Sequence, residues 1–153
     1  MKTVIEFYED PNTGEKQVLD IIRKLAIKND PDNLQLYKLI LRGLEFLRQH
    51  GLQESFKRYF QTHLEDGRPY TIMLVKRLRN HVPLLEFRVN WKGLGAFRAC
   101  FFEDNIDGLQ LLVFTRAVIK QNTYDAEFER IAAQSEEDYR NYHLDPVGDD
   151  ING

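Results

Sequence analysis

LLEFRVNWKGLGAFRACFF, Leu84 to Phe102, carries the pattern that decides the architecture. Leu85, Phe87, Val89 and Trp91 alternate with Glu86, Arg88 and Asn90. Beyond a glycine turn, Phe97, Ala99 and Phe101 alternate with Arg98 and Cys100. Alternation of period two marks strands with one buried and one wet face, so the stretch predicts a hairpin. With Lys92, Gly93 and Leu94 as its loop, Arg88 falls directly opposite Arg98. Like charges across a strand pair are mildly destabilising, and an anion seated between them offsets the cost. The hairpin therefore predicts a phosphate-binding surface.

Outward from the hairpin, Thr3 to Tyr8 reads as a first strand, closed by the turn residues Asp10 to Gly14. Val18, Ile21, Ile22 and Leu25 form the stripe of an amphipathic helix. Asp30 as N-cap and Pro31 at the first helical position start a second helix. Its stripe runs from Tyr37 to Leu47, with Gly51 as its stop. The two helices predict an antiparallel pair. Phe56 to Tyr70 reads as a short helix or strand followed by a loop. Tyr70 to Leu78 and Leu109 to Thr115 read as strands, and Thr123 to Tyr142 as a C-terminal helix. The order predicts an α+β domain over residues 1–144, with a helical pair on one face of a mostly antiparallel sheet. Residues 145–153 predict a disordered acidic tail.

Composition sets the class. The chain has 153 residues, 42% hydrophobic and 29% charged, which suits one globular domain. No apolar run approaches the roughly 20 residues of a membrane span, and the first residues do not read as a signal peptide. The single cysteine, Cys100, excludes an internal disulfide and fits a cytoplasmic setting. The net charge of −3 conceals an asymmetry. Residues 133–153 contribute −5, whereas Lys57 to Arg98 holds nine bases against Glu65, Asp66 and Glu86. Such a local excess steers anionic ligands whatever the total charge.

The segments EFYED (Glu6 to Asp10), VKRL (Val75 to Leu78), LLEFRV (Leu84 to Val89), AFRACFF (Ala96 to Phe102) and LLVFTRAVIKQNTYDAEFERIA (Leu111 to Ala132), in this order and spacing, resemble the RelE/ParE toxin superfamily and its phage-derived, HigB-like branch. The resemblance implies a toxin that cleaves messenger RNA on the ribosome, without metal or cofactor, and is neutralised by a cognate helix-turn-helix antitoxin. In such enzymes the RNA 2′-hydroxyl attacks the adjacent phosphate. Arginine suits the charge developed there, since its planar fork donates two hydrogen bonds and keeps its charge.

The resemblance assigns catalytic roles to Arg98, as phosphate stabiliser, and to Arg88 on the preceding strand. His81 and Tyr70 are the nearby groups able to move protons; His81 joins the catalytic set and Tyr70 the RNA-contacting set. Lys76, Arg77, Arg116 and Lys120 complete the RNA contacts. A non-catalytic binding module of the same fold, or a ParE-like inhibitor of a protein target, is the alternative. The four histidines and one cysteine show no metal-ligand spacing, and there is no P-loop, dinucleotide fingerprint or serine-nucleophile motif.

Overall fold

A computed structural model describes residues 1–92, 94–120 and 126–149 of the chain, with side chains described as far as Leu144. The elements run β1 (Lys2–Phe7), α1 (Gln17–Lys28), α2 (Pro31–Lys57), β2 (Phe60–His63), β3 (Pro69–Ile72), β4 (Val75–Arg77), β5 (Leu85–Trp91), β6 (Gly95–Ile106), β7 (Leu109–Lys120) and α3 (Ala126–Asp149). A 3-10 turn, Arg79–His81, links β4 towards β5. Five strands form one sheet in the order β1-β7-β6-β5-β4, antiparallel except for β1 beside β7. β2 and β3 make a separate hairpin. The fold is α+β, as expected. None of the described helices is long and apolar enough to cross a membrane.

The helical pair covers one face of the sheet. Val18, Ile22 and Leu25 of α1 and Leu36, Leu39, Ile40 and Leu47 of α2 meet Phe87, Val89, Phe97, Phe101 and Phe114 there. Close approach is set by Gly43, where a Cβ would lie 3.1 Å from both Leu74 Cδ2 and Phe87 Cζ. Asp30 caps α2 as predicted, accepting from the Asn33 N–H at 3.0 Å, with Pro31 in the first turn. That hydrogen bond holds the Asp30 carboxyl below its ordinary range.

α3 lies on the opposite face, which the alternation in β5 and β6 had marked as wet. Phe128, Ile131 and Ala132 bury Cys100, Phe102, Val113 and Val118. Burial pushes the Cys100 thiol up to about 12. A bulge between Cys100 and Phe101 leaves Thr115 as the extra residue on β7. Its hydroxyl donates to Cys100 O at 3.1 Å and lies 2.7 Å from Ser135 Oγ on α3. The β6–β7 turn holds Asp107 at φ 50° and Gly108 at φ 81°, the two positive angles a two-residue hairpin loop requires.

Three local expectations are corrected. Gly51 does not end α2: it kinks the helix at φ 80°, ψ 172°, and helix resumes to Lys57. Gln110 makes this possible, its Oε1 accepting from the Leu52 N–H at 3.1 Å and from Thr3 Oγ1 at 2.9 Å. Tyr70 to Leu78 is not one strand, because β3 pairs with β2 and β4 with β5. β7 continues past Thr115 to Lys120. The first residues of the expected C-terminal helix, at 123–125, lie outside the described residues, as do the side chains of the 145–153 tail.

A candidate anion-binding hollow

The register of the β5–β6 pair is Arg88↔Arg98, as the alternation predicts. Residues directly opposite share a face of the sheet, and Glu86, two residues from Arg88, shares it too. Glu86 stands between Lys76 on β4 and Cys100 on β6. Its carboxylate is 0% exposed. Arg98 Nε donates to Glu86 Oε2, and Lys76 Nζ lies 3.7 Å from Oε1. Oε1 accepts no hydrogen bond among the described residues. The chain thus supplies a carboxylate to Arg98, one of the two facing arginines, but none to Arg88 among the described residues.

Beside the Glu86 partners Lys76 and Arg98 opens a hollow of about 530 Å³ between β4, the 3-10 turn and α3. Lys76, Arg77, Arg79, His81 and Arg98 contribute to its walls, with Glu129 and Phe128 of α3 opposite. Lys76 is 56% exposed and Arg98 14%. The Arg98 guanidinium sits 3.7 Å from the centroid of the Phe128 ring, a cation–π contact. Arg77 makes a similar contact with Phe56 at 4.3 Å. Arg88 is half-buried, on the same face as Arg98 and without an ion-pair partner among the described residues.

The structure thus gathers Arg98, Lys76 and His81, with Arg88 alongside, while Arg77 borders the hollow but turns its guanidinium over Phe56. It sets three others apart. Arg116 is bidentate to Asp138, at 2.7 and 2.9 Å, and also reaches Asp10 at 3.1 Å. These carboxylates, Asp138 foremost, raise its affinity for the proton further and bind α3 to the sheet. The Tyr70 hydroxyl donates to Asn90 O at 2.8 Å and accepts from the Asn90 N–H at 3.0 Å, closing the outer edge of β5 beyond β4. Burial raises its phenol above the ordinary range. Lys120 pairs across with Ala96 and is not among the walls of the hollow.

Two residues join that sequence reasoning had not placed there. Arg79 belongs to the same basic run, but the turn that aims it follows a break in strand pairing. Glu86 reads as a residue of the wet face, solvated or paired with Arg88 or Arg98; the structure pairs it with Arg98 but buries it wholly.

His81 is a clamp in this state. Nδ1 lies 2.5 Å from Glu136 Oε2 and Nε2 lies 2.8 Å from Glu129 Oε1. Burial alone would lower its proton affinity, but the two glutamates outweigh that and raise it above the ordinary 6.5. A raised value means His81 contributes its full stabilisation below about pH 6.5, while the glutamates stay ionised, and loses it as pH rises through the folded value. The melting-temperature gap between the wild type and His81→Gln should therefore be wide at pH 6 and narrow at pH 9. A gap that is constant, or wider at pH 9, contradicts the clamp.

Among the described residues no group of three or more His, Cys, Asp or Glu is placed to hold a metal ion. No protein-family model matches the chain, and no curated protein is significantly similar to it.

Proposed function

We propose that this chain is a RelE/ParE-type endoribonuclease, the toxin of a toxin–antitoxin pair, acting on messenger RNA in the ribosome without a metal. One observation carries the reading. Lys76 and Arg98, from the strands flanking β5, share a fully buried carboxylate and line one hollow, with Arg88 on the same face of the sheet. A sugar-phosphate backbone laid across Arg88, Arg98 and Lys76 meets three donors on rigid strands, the preorganised arrangement that stabilises charge developing at phosphorus.

In the proposed reaction the RNA 2′-oxygen bonds to the adjacent phosphorus and the bond from phosphorus to the 5′-oxygen breaks. Products are a cyclic phosphate and a free 5′-hydroxyl. The 2′-hydroxyl proton goes to water, while Glu86, wholly buried and out of reach of the RNA, holds Arg98 and Lys76 in position. The departing 5′-oxygen takes its proton from the Lys76 ammonium. A proton role for His81 requires the Glu129 and Glu136 contacts to open first.

The committed state of His81 and the stacking of Arg98 under Phe128 favour the second reading, a binding module of the same fold that does not cut. Inducing the chain without a partner and mapping RNA 5′ ends separates the two. The enzyme produces new 5′-hydroxyl ends, and Arg88→Ala with Lys76→Ala lowers their rate of appearance about 10²–10³-fold, the usual cost of losing a charge stabiliser. Growth arrest with no new ends leaves the binding module. Undiminished cutting by the double variant removes this hollow from the reaction.

A further inference from the structure

β1 lies beside β7 as far as Phe7↔Phe114, and the Tyr8 N–H still reaches Phe114 O at 2.9 Å. The chain then turns away towards α1, while β7 runs on to Lys120. Past Thr115 the outer side of β7 therefore has no strand among the described residues. At Ala117 a side chain takes the strand's place: Gln17 Nε2 donates to Ala117 O at 2.9 Å, and Gln17 Oε1 accepts from the Ala117 N–H at 2.7 Å. In an antiparallel ladder alternate residues turn both peptide groups the same way. Ile119, two residues on, consequently directs its N–H and C=O outward as well, and neither has a partner among the described residues.

A groove of about 440 Å³ occupies the place where the next strand would run. α1 walls it on one side of the sheet plane and α3 on the other. Its floor is apolar, with Ile21 and Leu25 from α1, Ile119 from β7 and Ile131 from α3. Its rim carries three bases to one acid: Lys24 and Lys28, one turn apart on α1 and both exposed, face Arg130 and Glu127 across the gap. Arg130 meets Glu127 at 3.5 Å, whereas Lys24 and Lys28 have no ion-pair partner among the described residues.

We infer that this lane receives an extended, acidic segment of a partner protein, which adds to the sheet beside the second half of β7. An open edge supplies main-chain hydrogen bonds, alternate side chains fill the apolar floor, and carboxylates on the others meet the lysines; this is strand addition with a charge filter. The inference uses no residue of the anion-binding hollow and stands whether or not the chain cuts RNA.

The test uses the full chain, labelled with ¹⁵N, and a capped synthetic peptide of about six alternating Val and Glu residues, the length of an ordinary strand. Saturating peptide should slow hydrogen exchange at the Ile119 amide about tenfold or more and shift its resonance. Lys24→Glu with Lys28→Glu, both at exposed positions, should weaken binding about tenfold, or about 1.4 kcal/mol. A fully N-methylated peptide of the same sequence, unable to donate from its backbone, should bind as weakly. Unchanged exchange at Ile119 with millimolar peptide overturns the proposal, as does affinity indifferent to charge reversal. Protection of Ile119 by an oligouridylate in place of the peptide overturns it too, assigning the lane to nucleic acid.

Discussion

Arg98→Met should cost about 3–5 kcal/mol of folding stability, the penalty for leaving a buried charge uncompensated. The carboxylate left behind is Glu86, at 0% exposure, with Lys76 at 3.7 Å as its remaining ionic contact. Pairing Arg98→Met with Glu86→Leu should recover most of the loss, because a well-packed apolar pair replaces the ion pair at little net cost. Lys76, more than half exposed, then returns to water. Urea denaturation of the two single variants and the double variant measures the coupling directly. A double variant no more stable than Arg98→Met would show that the pair is not what holds this part of the sheet together. The same series guards the functional assay, since loss of cleavage in Arg98→Met counts for chemistry only under conditions where the variant is folded.

Phe114→Ala should be about as severe, at about 3–5 kcal/mol. Phe114 is fully buried at the centre of β7. It stacks on Phe101 with ring centroids 4.7 Å apart and meets Phe87 edge-on at 5.7 Å and Phe7 at 6.1 Å. Removing the ring leaves a cavity bordered by three strands that cannot close around it without breaking register. For a domain of this size the melting temperature should fall by about 10 °C or more. Phe114→Leu, which keeps most of the volume, should lose clearly less. Equal losses for alanine and leucine would mean that the site collapses freely and the aromatic cluster is not the rigid centre of the core.

How much of this was legible differs from element to element. The facing of Arg88 and Arg98 followed from alternation and a glycine turn, because a hairpin's register is a local property. The burial of Glu86 did not follow, since it depends on a helix that begins 40 residues later. A signal was present nonetheless: Ala99-Cys100-Phe101-Phe102 and Leu111-Leu112-Val113-Phe114 are continuous apolar runs, the mark of strands covered on both faces. Gly51 carried the sign of a helix end, but Gln110, 58 residues downstream of Leu52, lets the helix resume. The break at Met73 and Leu74 was hidden for a related reason. YTIMLVKRL is uniformly strand-like, and only the partners β2 and β5 divide it between two sheets. Among the candidate residues, Lys76, Arg88 and Arg98 came together because strand register puts them on one face of the sheet. Arg116 was diverted by the bulge at Thr115, which turns it towards Asp138, and no local pattern announces that.

The parallel pairing of β1 with β7 bears on how the molecule comes into being. Lys2 faces Leu109, and Thr3 joins Gln110 in the network that holds the α2 kink. On a translating ribosome the first strand emerges more than 100 residues ahead of the one it lies against. Nascent chains fold from the end already made, and contacts between distant residues carry the heaviest entropy of closure. Assembly of the sheet must therefore wait until β7 has cleared the exit tunnel, and the last turn of α2 locks in the same late step. A synthesis interrupted before Leu109 leaves helices α1 and α2 without the surface they were made to cover.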